Sequence, residues 1–446
     1  MRAIIARNPN RVSIPERVRK MSLSVCLIAA SLFSAQTIKA QSNVNWLTNG
    51  VYEEITFAEY LQLVVQNNLG FLAAQFDVSI AEAEARAERV FHDPELTITF
   101  YENDYGAVLF GRGIELELEW EVELGGERRS RIRLAQSEAQ MQRILLDAAL
   151  AELRAEAATA FLEAQKQLRM LELRQSMLDT MREVHRHDSI SFALGEIPEM
   201  EFLQTRLEVR MLRNELIEQE AEVRMAMAAL NEMASRDPRG LLRPATPLSR
   251  PIQRDFTLVE LFDIALDDNV DLAVVMQEKQ ITRNELRLAR AERIPNIGLS
   301  LVYEIREASG DWGTFHAVAF GVTIPLMFSN ANRGGLRAAQ LAVEQAEIEY
   351  RATIIEVKSE IAQAFFEFEA LQNRVNNYED GMLDDAQRIV DAALTHRRRG
   401  DLRLIEVLDA IETLNELLES YIETLFEYGT SAVELQRVSG IWEIDF

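Results

Sequence analysis

Five glutamates, Glu115, Glu117, Glu119, Glu121 and Glu123, occupy every second position of residues 114–124, with Ile114, Leu116, Leu118, Trp120, Val122 and Leu124 between them. Side chains on a strand alternate between faces, so this spacing makes one carboxylate row and one apolar row. A helix would scatter the same residues around its circumference. A carboxylate row breaks no bonds by itself; it attracts cations, and several such rows around a pore select them. A second pair, Glu406 and Asp409, lies just past Gly400, and its spacing of three puts both carboxylates on one helical face.

Other chemistry is thinly supplied. The five histidines are His92, His185, His187, His316 and His396. His185 and His187 are two apart, a spacing that splays them across a helix, so polar surface is expected there rather than a metal site. His92-Asp93 and His187-Asp188 are isolated pairs. No phosphate-cradling glycine loop, metalloprotease helix motif or nucleophile–histidine set is recognisable. Neither an enzyme nor a cofactor is expected. With 47 basic against 72 acidic side chains the net charge is −25, which repels phosphate and argues against nucleic acid as a partner.

Arg17, Arg19 and Lys20 precede an apolar run from Met21 to Phe33, closed by Ile38-Lys39-Ala40. This is the order of a secretory signal peptide, expected at residues 1–40 with cleavage after Ala40. Met21 is a second candidate start, and a short N-terminal anchor is the competing reading. The single cysteine, Cys26, falls inside this segment, so the mature chain is expected to carry no disulfide. No later apolar run is long enough to span a bilayer as a helix.

Nineteen Gly and ten Pro among 446 residues are few breakers, and Glu127 to Leu194 has none. A helix of some sixty residues, about 90 Å long, is expected there. Its apolar positions (Leu146, Leu150, Leu153, Ala157, Ala160, Ala164, Leu171, Leu178, Met181) step by four and three like a coiled-coil seam. Leu336, Val343, Tyr350, Val357, Ala364 and Leu371 repeat the pattern every seven residues. Each long helix is expected to form an antiparallel hairpin with a shorter partner, turning at Leu194-Gly195 or Arg399-Gly400.

The chain is duplicated. Thr56-Phe57-Ala58-Glu59 matches Thr257-Leu258-Val259-Glu260, and His92-Asp93-Pro94 parallels Arg293-Ile294-Pro295. Arg129, Arg133 and Gln136 match Arg333, Arg337 and Gln340, and Gly195 matches Gly400. The expected first repeat is 41–233, with a helix, a strand pair at 94–124 and a hairpin tip near 192–198. The second is 256–446, with a strand pair at 295–326 and a tip near 396–401. A Pro- and Arg-rich linker, 234–255, joins them, either packed on the helices or free as a tether. Gly106, Gly111, Gly113 and Ser309-Gly310-Asp311 supply strand turns.

Four strands cannot close a barrel, and open edges are not tolerated in lipid. Strands that enter a membrane must therefore be pooled from several chains, eight from two copies or twelve from three. Leu116, Leu118, Trp120 and Val122 would then face lipid, and the five glutamates a water-filled lumen. The competing reading is a half-buried sheet in a periplasmic coiled-coil scaffold or adaptor without a membrane barrel.

Two repeats of a strand pair plus long helical hairpins, behind a signal peptide, resemble the TolC-type outer-membrane efflux ducts of Gram-negative bacteria. Gly321-Val322-Thr323-Ile324-Pro325-Leu326 with Asn332-Arg333-Gly334 is similar to that family's strand-to-helix junction. Phe192-Ala193-Leu194-Gly195 resembles its first periplasmic tip, and residues 400–410 its second tip running into the gating helix. The resemblance implies a mainly α fold with a small β part. Each chain of a homotrimer would give four strands to a twelve-stranded barrel and its helices to a periplasmic tunnel. It also implies a passive exit duct docked to a periplasmic adaptor and, through it, an inner-membrane pump. By position, Glu406 and Asp409 are the implied periplasmic gate, and Phe192, Leu194, Gly195, Arg399 and Gly400 the adaptor-contact tips. Arg397 stands where the first tip has Phe192, and Arg397-Arg398-Arg399 are expected to seek an acidic adaptor surface. Metal cations or cationic drugs suit the acidic lumen, a CzcC- or CusC-like metal role being one option.

Overall fold

The computed structural model describes residues 52–101, 113–251, 256–307, 313–326 and 332–442. The expected signal peptide at 1–40 and the turn residues Gly106, Gly111 and Ser309-Gly310-Asp311 lie outside the described residues.

A short strand β1 (Glu53–Ile55) leads into α1 (Phe57–Asn67) and α2 (Leu69–Ala87). Strands β2 (Glu95–Tyr101) and β3 (Gly113–Val122) follow, then the helices α3 (Glu127–Ala193) and α4 (Glu199–Met233). After β4 (Leu242–Pro244) the order recurs: α5 (Leu258–Asp268), α6 (Val270–Ala291), β5 (Ile297–Glu307), β6 (Thr314–Thr323), α7 (Arg333–Asn377), α8 (Leu383–Arg398) and α9 (Leu404–Ser439). The duplication reaches single side chains. Thr56 and Thr257 cap the helices that follow, accepting from the N–H of Glu59 and Glu260. Asn68 accepts from the Phe71 N–H and donates to the Met233 carbonyl at 2.9 Å; Asn269 does the same with Leu272 and the Val438 carbonyl at 2.8 Å. An asparagine that caps one helix while holding the last turn of another fixes where the two cross.

With no Gly or Pro to interrupt it, α3 runs unbroken for 67 residues, about 100 Å at helical rise. Its Leu153, Ala157, Ala164, Leu178 and Met181 are buried. The middle of the helices packs around Phe57, Tyr60, Phe161, Leu230 and Tyr428. Nearer the turns, Leu178 and Met181 meet Leu212, Val390, Leu404 and Val407. The second long helix differs from the first. The seven-residue seam runs to Leu371, and the helix opens beyond it at residues 378–382, where Gly381 has φ 106° and Asp380 ψ 34°. That left-handed backbone suits glycine, which lacks a Cβ to clash. One long helix is thereby corrected to two, of 45 and 16 residues.

The Pro/Arg stretch is packed where it is described. β4 lies parallel to β1, Glu53 opposite Leu242 and Ile55 opposite Pro244, and Leu242 and Leu248 are buried. Arg250 bonds Asn376 at 2.8 Å and pairs with Glu379 at 2.7 Å beside the opened turn. The remaining strands form one antiparallel sheet in the order β2-β3-β5-β6, so the two repeats join through β3 and β5.

Candidate functional site

The register of this sheet sorts side chains by chemistry. Leu96, Ile98 and Phe100 of β2 oppose Leu118, Leu116 and Ile114 of β3. Leu116, Leu118, Trp120 and Val122 oppose Tyr303, Leu301, Leu299 and Ile297 of β5, and the row continues into Val318, Phe320 and Val322 of β6. One face is thus apolar across four strands, and it is bare: Phe100 is 74% exposed, Val318 and Phe320 71% each. A soluble monomer rarely leaves so large an apolar patch to water. The opposite face carries Glu95, Thr97 and Thr99, then Glu115, Glu117, Glu119 and Glu121, then Ser300, Glu304 and Arg306. β2 and β6 each pair on one side only within the chain.

Glu123 leaves the row. β3 ends at Val122, and the backbone turns through Gly125 and Gly126 at φ 71° and 76°. A Cβ on Gly125 would sit 2.8 Å from the Ala291 carbonyl, so the turn presses close on α6. Glu123, its side chain 6% exposed, is gripped by Arg131 at 2.5 Å from the start of α3, and lies 3.2 Å from His92. The expected stripe of five glutamates therefore keeps four on one face of the sheet. The alternation Ile114–Leu124 outlasts the strand because the turn, not the pattern, ends it. Asn296 seals the corner, accepting from the Leu124 N–H and donating to Glu121 and Glu127. At the second repeat's corner, Asn332 begins α7 in the left-handed region at φ 53°.

The two hairpin turns are built alike. Gly195 and Gly400 have φ 78° and 79°. Behind them, the Glu196 N–H bonds the Ser191 carbonyl at 2.9 Å and the Asp401 N–H the His396 carbonyl at 3.0 Å. This closes a helix end with glycine in the one conformation it adopts cheaply. Phe192, Leu194, Gly195, Arg399 and Gly400 are all exposed, and Phe192 stacks on Phe202 of its own hairpin at 5.0 Å. Arg397 does not join them. Its side chain is 10% exposed and bonds Asp188 of α3 at 3.1 Å, Glu201 of α4 at 2.8 Å and the Leu402 carbonyl at 3.3 Å. Burial works against its charge, but the hydrogen bond it donates to Glu201 and the charge of Asp188 hold its pKa above the ordinary value. The expectation that Arg397 meets an adaptor is corrected: Arg398 and Arg399 point outward, whereas Arg397 ties one hairpin to the other. Its one sequence signal was the apolar phase, since Leu394 and Arg397 continue the inward side of α8.

Glu406 and Asp409 line a groove of about 610 Å³ among α3, α4 and α9. Glu208, Glu215, Glu412, Glu416 and Glu419 share it, with Arg174 the one basic residue in the lining. Arg174 holds Glu215 at 2.7 Å and Glu419 at 3.0 Å. Burial and the charges of Glu215 and Glu412 push Glu208 above the usual carboxylate range. Burial does the same to Glu419 against the pull of Arg174. Glu406 goes the other way, because the Arg403 guanidinium at 2.8 Å and the Arg403 N–H both donate to it. It caps α9 as well as facing the groove. Asp409 is exposed one turn on.

His185 and His187 are not brought together. The His185 ring pairs with the Thr205 hydroxyl at 3.0 Å and stacks on Phe202, while His187 lies 3.8 Å from Asp188. Among the described residues no three metal-binding side chains converge, and no helix is long and apolar enough to cross a membrane.

Comparison with known proteins extends this geometry. The family model for outer membrane efflux proteins matches residues 60–235 and 261–440, one span in each repeat. The chain is 22% identical over 426 residues to the cobalt-zinc-cadmium resistance protein CzcC of Cupriavidus metallidurans, covering 94% of this chain and 98% of that one. Its fold is similar to the crystal structure of CusC (TM-score 0.74, 16% identity, 91% of this chain and 96% of that one). It is also similar to the outer membrane protein VceC of Vibrio cholerae (TM-score 0.70, 17% identity, 86% and 96%). The duplicated architecture and the family match over both repeats make this chain a member of the outer membrane efflux protein family.

Proposed function

We propose that three copies of this chain form the outer-membrane exit duct of a tripartite efflux system, passive in itself and performing no catalysis. Residues 1–40 are removed on export. The repeats 41–233 and 256–446, joined by 234–255, each give two strands, so three copies close a twelve-stranded barrel. Leu116, Leu118, Trp120 and Val122 face lipid; Glu115, Glu117, Glu119 and Glu121 face the lumen. The helices make the periplasmic tunnel. The tips around Phe192, Leu194, Gly195, Arg399 and Gly400 meet a periplasmic adaptor that links the duct to an inner-membrane pump. Glu406 and Asp409 ring the closed end, six carboxylates from three copies, whose mutual repulsion lets charge or a partner loosen it.

The observation that carries this reading is the apolar face that runs in register across all four strands, beside a sheet with two open edges. Lipid covers the face, and sister copies satisfy the edges. Four glutamates of β3 from each of three copies favour cations, and the relative named for cobalt, zinc and cadmium resistance points to divalent metal cargo. Purification from outer membranes in mild detergent, with mass measured by light scattering, tests the assembly. Three chains per particle and a band that shifts on boiling are expected. A stable single copy, or protein left in the soluble fraction, overturns the duct in favour of a periplasmic scaffold.

A further inference from the structure

The end of the sheet remote from the helices departs from the acidic pattern. Arg306 is the one Lys or Arg in strands β2, β3, β5 and β6, and it lies on the glutamate face, opposite Gly113. Two residues back on the same face, Glu304 sits directly opposite Glu115. Like charges in that position repel. The structure relieves the clash from the other side. Arg306 donates to the Glu304 carboxylate, and so does the Tyr101 hydroxyl. Tyr101 is on β2 and Glu304 on β5, so the ring must cross β3 to reach it. It crosses at Gly113, where an added Cβ would fall inside the Tyr101 ring. A glycine under an aromatic ring is a known way to admit such a crossing. Tyr101, Gly113, Glu304 and Arg306 therefore act as one unit. It fixes a cation at the outer end of a face that is otherwise acidic.

We propose that Arg306, braced by Glu304 and Tyr101, forms a charge-balanced collar at the outer mouth of the duct and sets how strongly the pore prefers cations. The inference rests on the lumen reading above, in which this face lines the pore. Three copies put three guanidiniums in the path of a departing cation, each bound to a Glu304 carboxylate. The four glutamate rows deeper in the barrel gather cations. The collar weakens their hold where cargo must leave, since a conducting site must bind weakly enough to release.

Reversal potentials across planar bilayers in a gradient of about 0.1 M KCl, where the screening length is roughly 10 Å, test this. R306Q removes three positive charges and is expected to raise the potassium-to-chloride permeability ratio by about twofold or more, the Coulomb effect of one charge some 10 Å away in water. E304Q removes the carboxylate charge beside Arg306 and is expected to lower the ratio. R306K keeps the charge and should track the parent. E117Q, deeper in the barrel, reports on the lumen reading alone and should lower the ratio. A heat-shifted trimer band verifies assembly of each variant. If E117Q acts while R306Q and E304Q stay at the parental value, the collar is overturned and the lumen reading stands. If all three are silent, both fall. A shift of R306Q toward anions, or an R306K that behaves like R306Q, also overturns the collar.

Discussion

Replacing Arg397 with Gln is expected to untie the two hairpins where they turn. Arg397 bridges Asp188 and Glu201 at 3.1 and 2.8 Å, and Asp188 is only 1% exposed. Removing the guanidinium leaves a buried carboxylate without its cation. Breaking a buried pair from one side costs about 3–5 kcal/mol, and the lower figure applies because Glu201 is partly exposed. At 1.36 kcal/mol per decade, a loss of about 3 kcal/mol lowers amide protection roughly 150-fold for residues whose exchange needs the hairpins to part. Hydrogen exchange of the intact assembly, read at residues 184–194 and 402–411, is the assay. R398Q is the control: Arg398 is exposed, and such surface changes stay within about 0.5 kcal/mol. Adding D188N to R397Q removes the stranded charge and should restore part of the protection, a coupling of about 1–3 kcal/mol. If R397Q exchanges like R398Q, or if D188N fails to compensate, the bridge does not hold the tips and the reasoning fails.

Four further outcomes follow from the same packing. Glu208 has its pKa raised by burial and by Glu215 and Glu412, so it binds its proton more tightly folded than unfolded. Its contribution is fully present below the unfolded carboxylate pKa and is lost as pH rises through the folded value. E208Q should therefore stabilise the tips at pH 7 and flatten their gain on acidification, measured as denaturant midpoints at pH 7 and 5; an unchanged profile refutes this. Glu406, its pKa lowered by Arg403, behaves oppositely: its contribution is present at neutral pH and lost as pH falls through its depressed value, so E406Q should lower the neutral midpoint. Gly125→Ala meets both a left-handed backbone and the Ala291 carbonyl. It should cost at least about 1–2 kcal/mol and reduce the yield of boiling-sensitive trimer, whereas Gly126→Ala, with open space around it, should cost only the backbone part. Asn68→Ala and Asn269→Ala each remove a cap and a tie to the partner helix. Each should lower stability by about 1–2 kcal/mol, and a loss in only one would break the equivalence of the repeats.

The sequence spoke most clearly where one local rule dominates. The alternation in 114–124 announced a strand with two chemistries, and the stretch without Gly or Pro announced the long α3. Gly195 and Gly400 marked the turns because the left-handed cap needs glycine. What stayed hidden depends on contacts far apart in the chain. The three-residue strands β1 and β4 are too short to show a period, and their pairing spans the first repeat. The β3–β5 junction between repeats leaves no mark in either strand alone. Gly381 opens the second long helix beyond the end of the seam at Leu371, and the buried positions resume one residue out of phase at Ala386, Val390 and Ala393. Glu123 and Arg397 share a pattern with their neighbours, and by sequence alone they group with them. Each is withdrawn by a partner that only the fold supplies, Arg131 in one case and Asp188 with Glu201 in the other.

The lipid-and-lumen assignment is most directly tested by single cysteines at adjacent positions of β3. Cys26, the chain's only cysteine, falls inside the proposed signal peptide, so the exported protein gives a cysteine-free background. In outer-membrane vesicles, Glu117→Cys should react with a charged, water-soluble maleimide, while Leu118→Cys resists it and reacts with a lipid-soluble one; Glu119→Cys and Trp120→Cys should repeat the alternation. Equal labelling of both faces by the water-soluble reagent would contradict the membrane barrel.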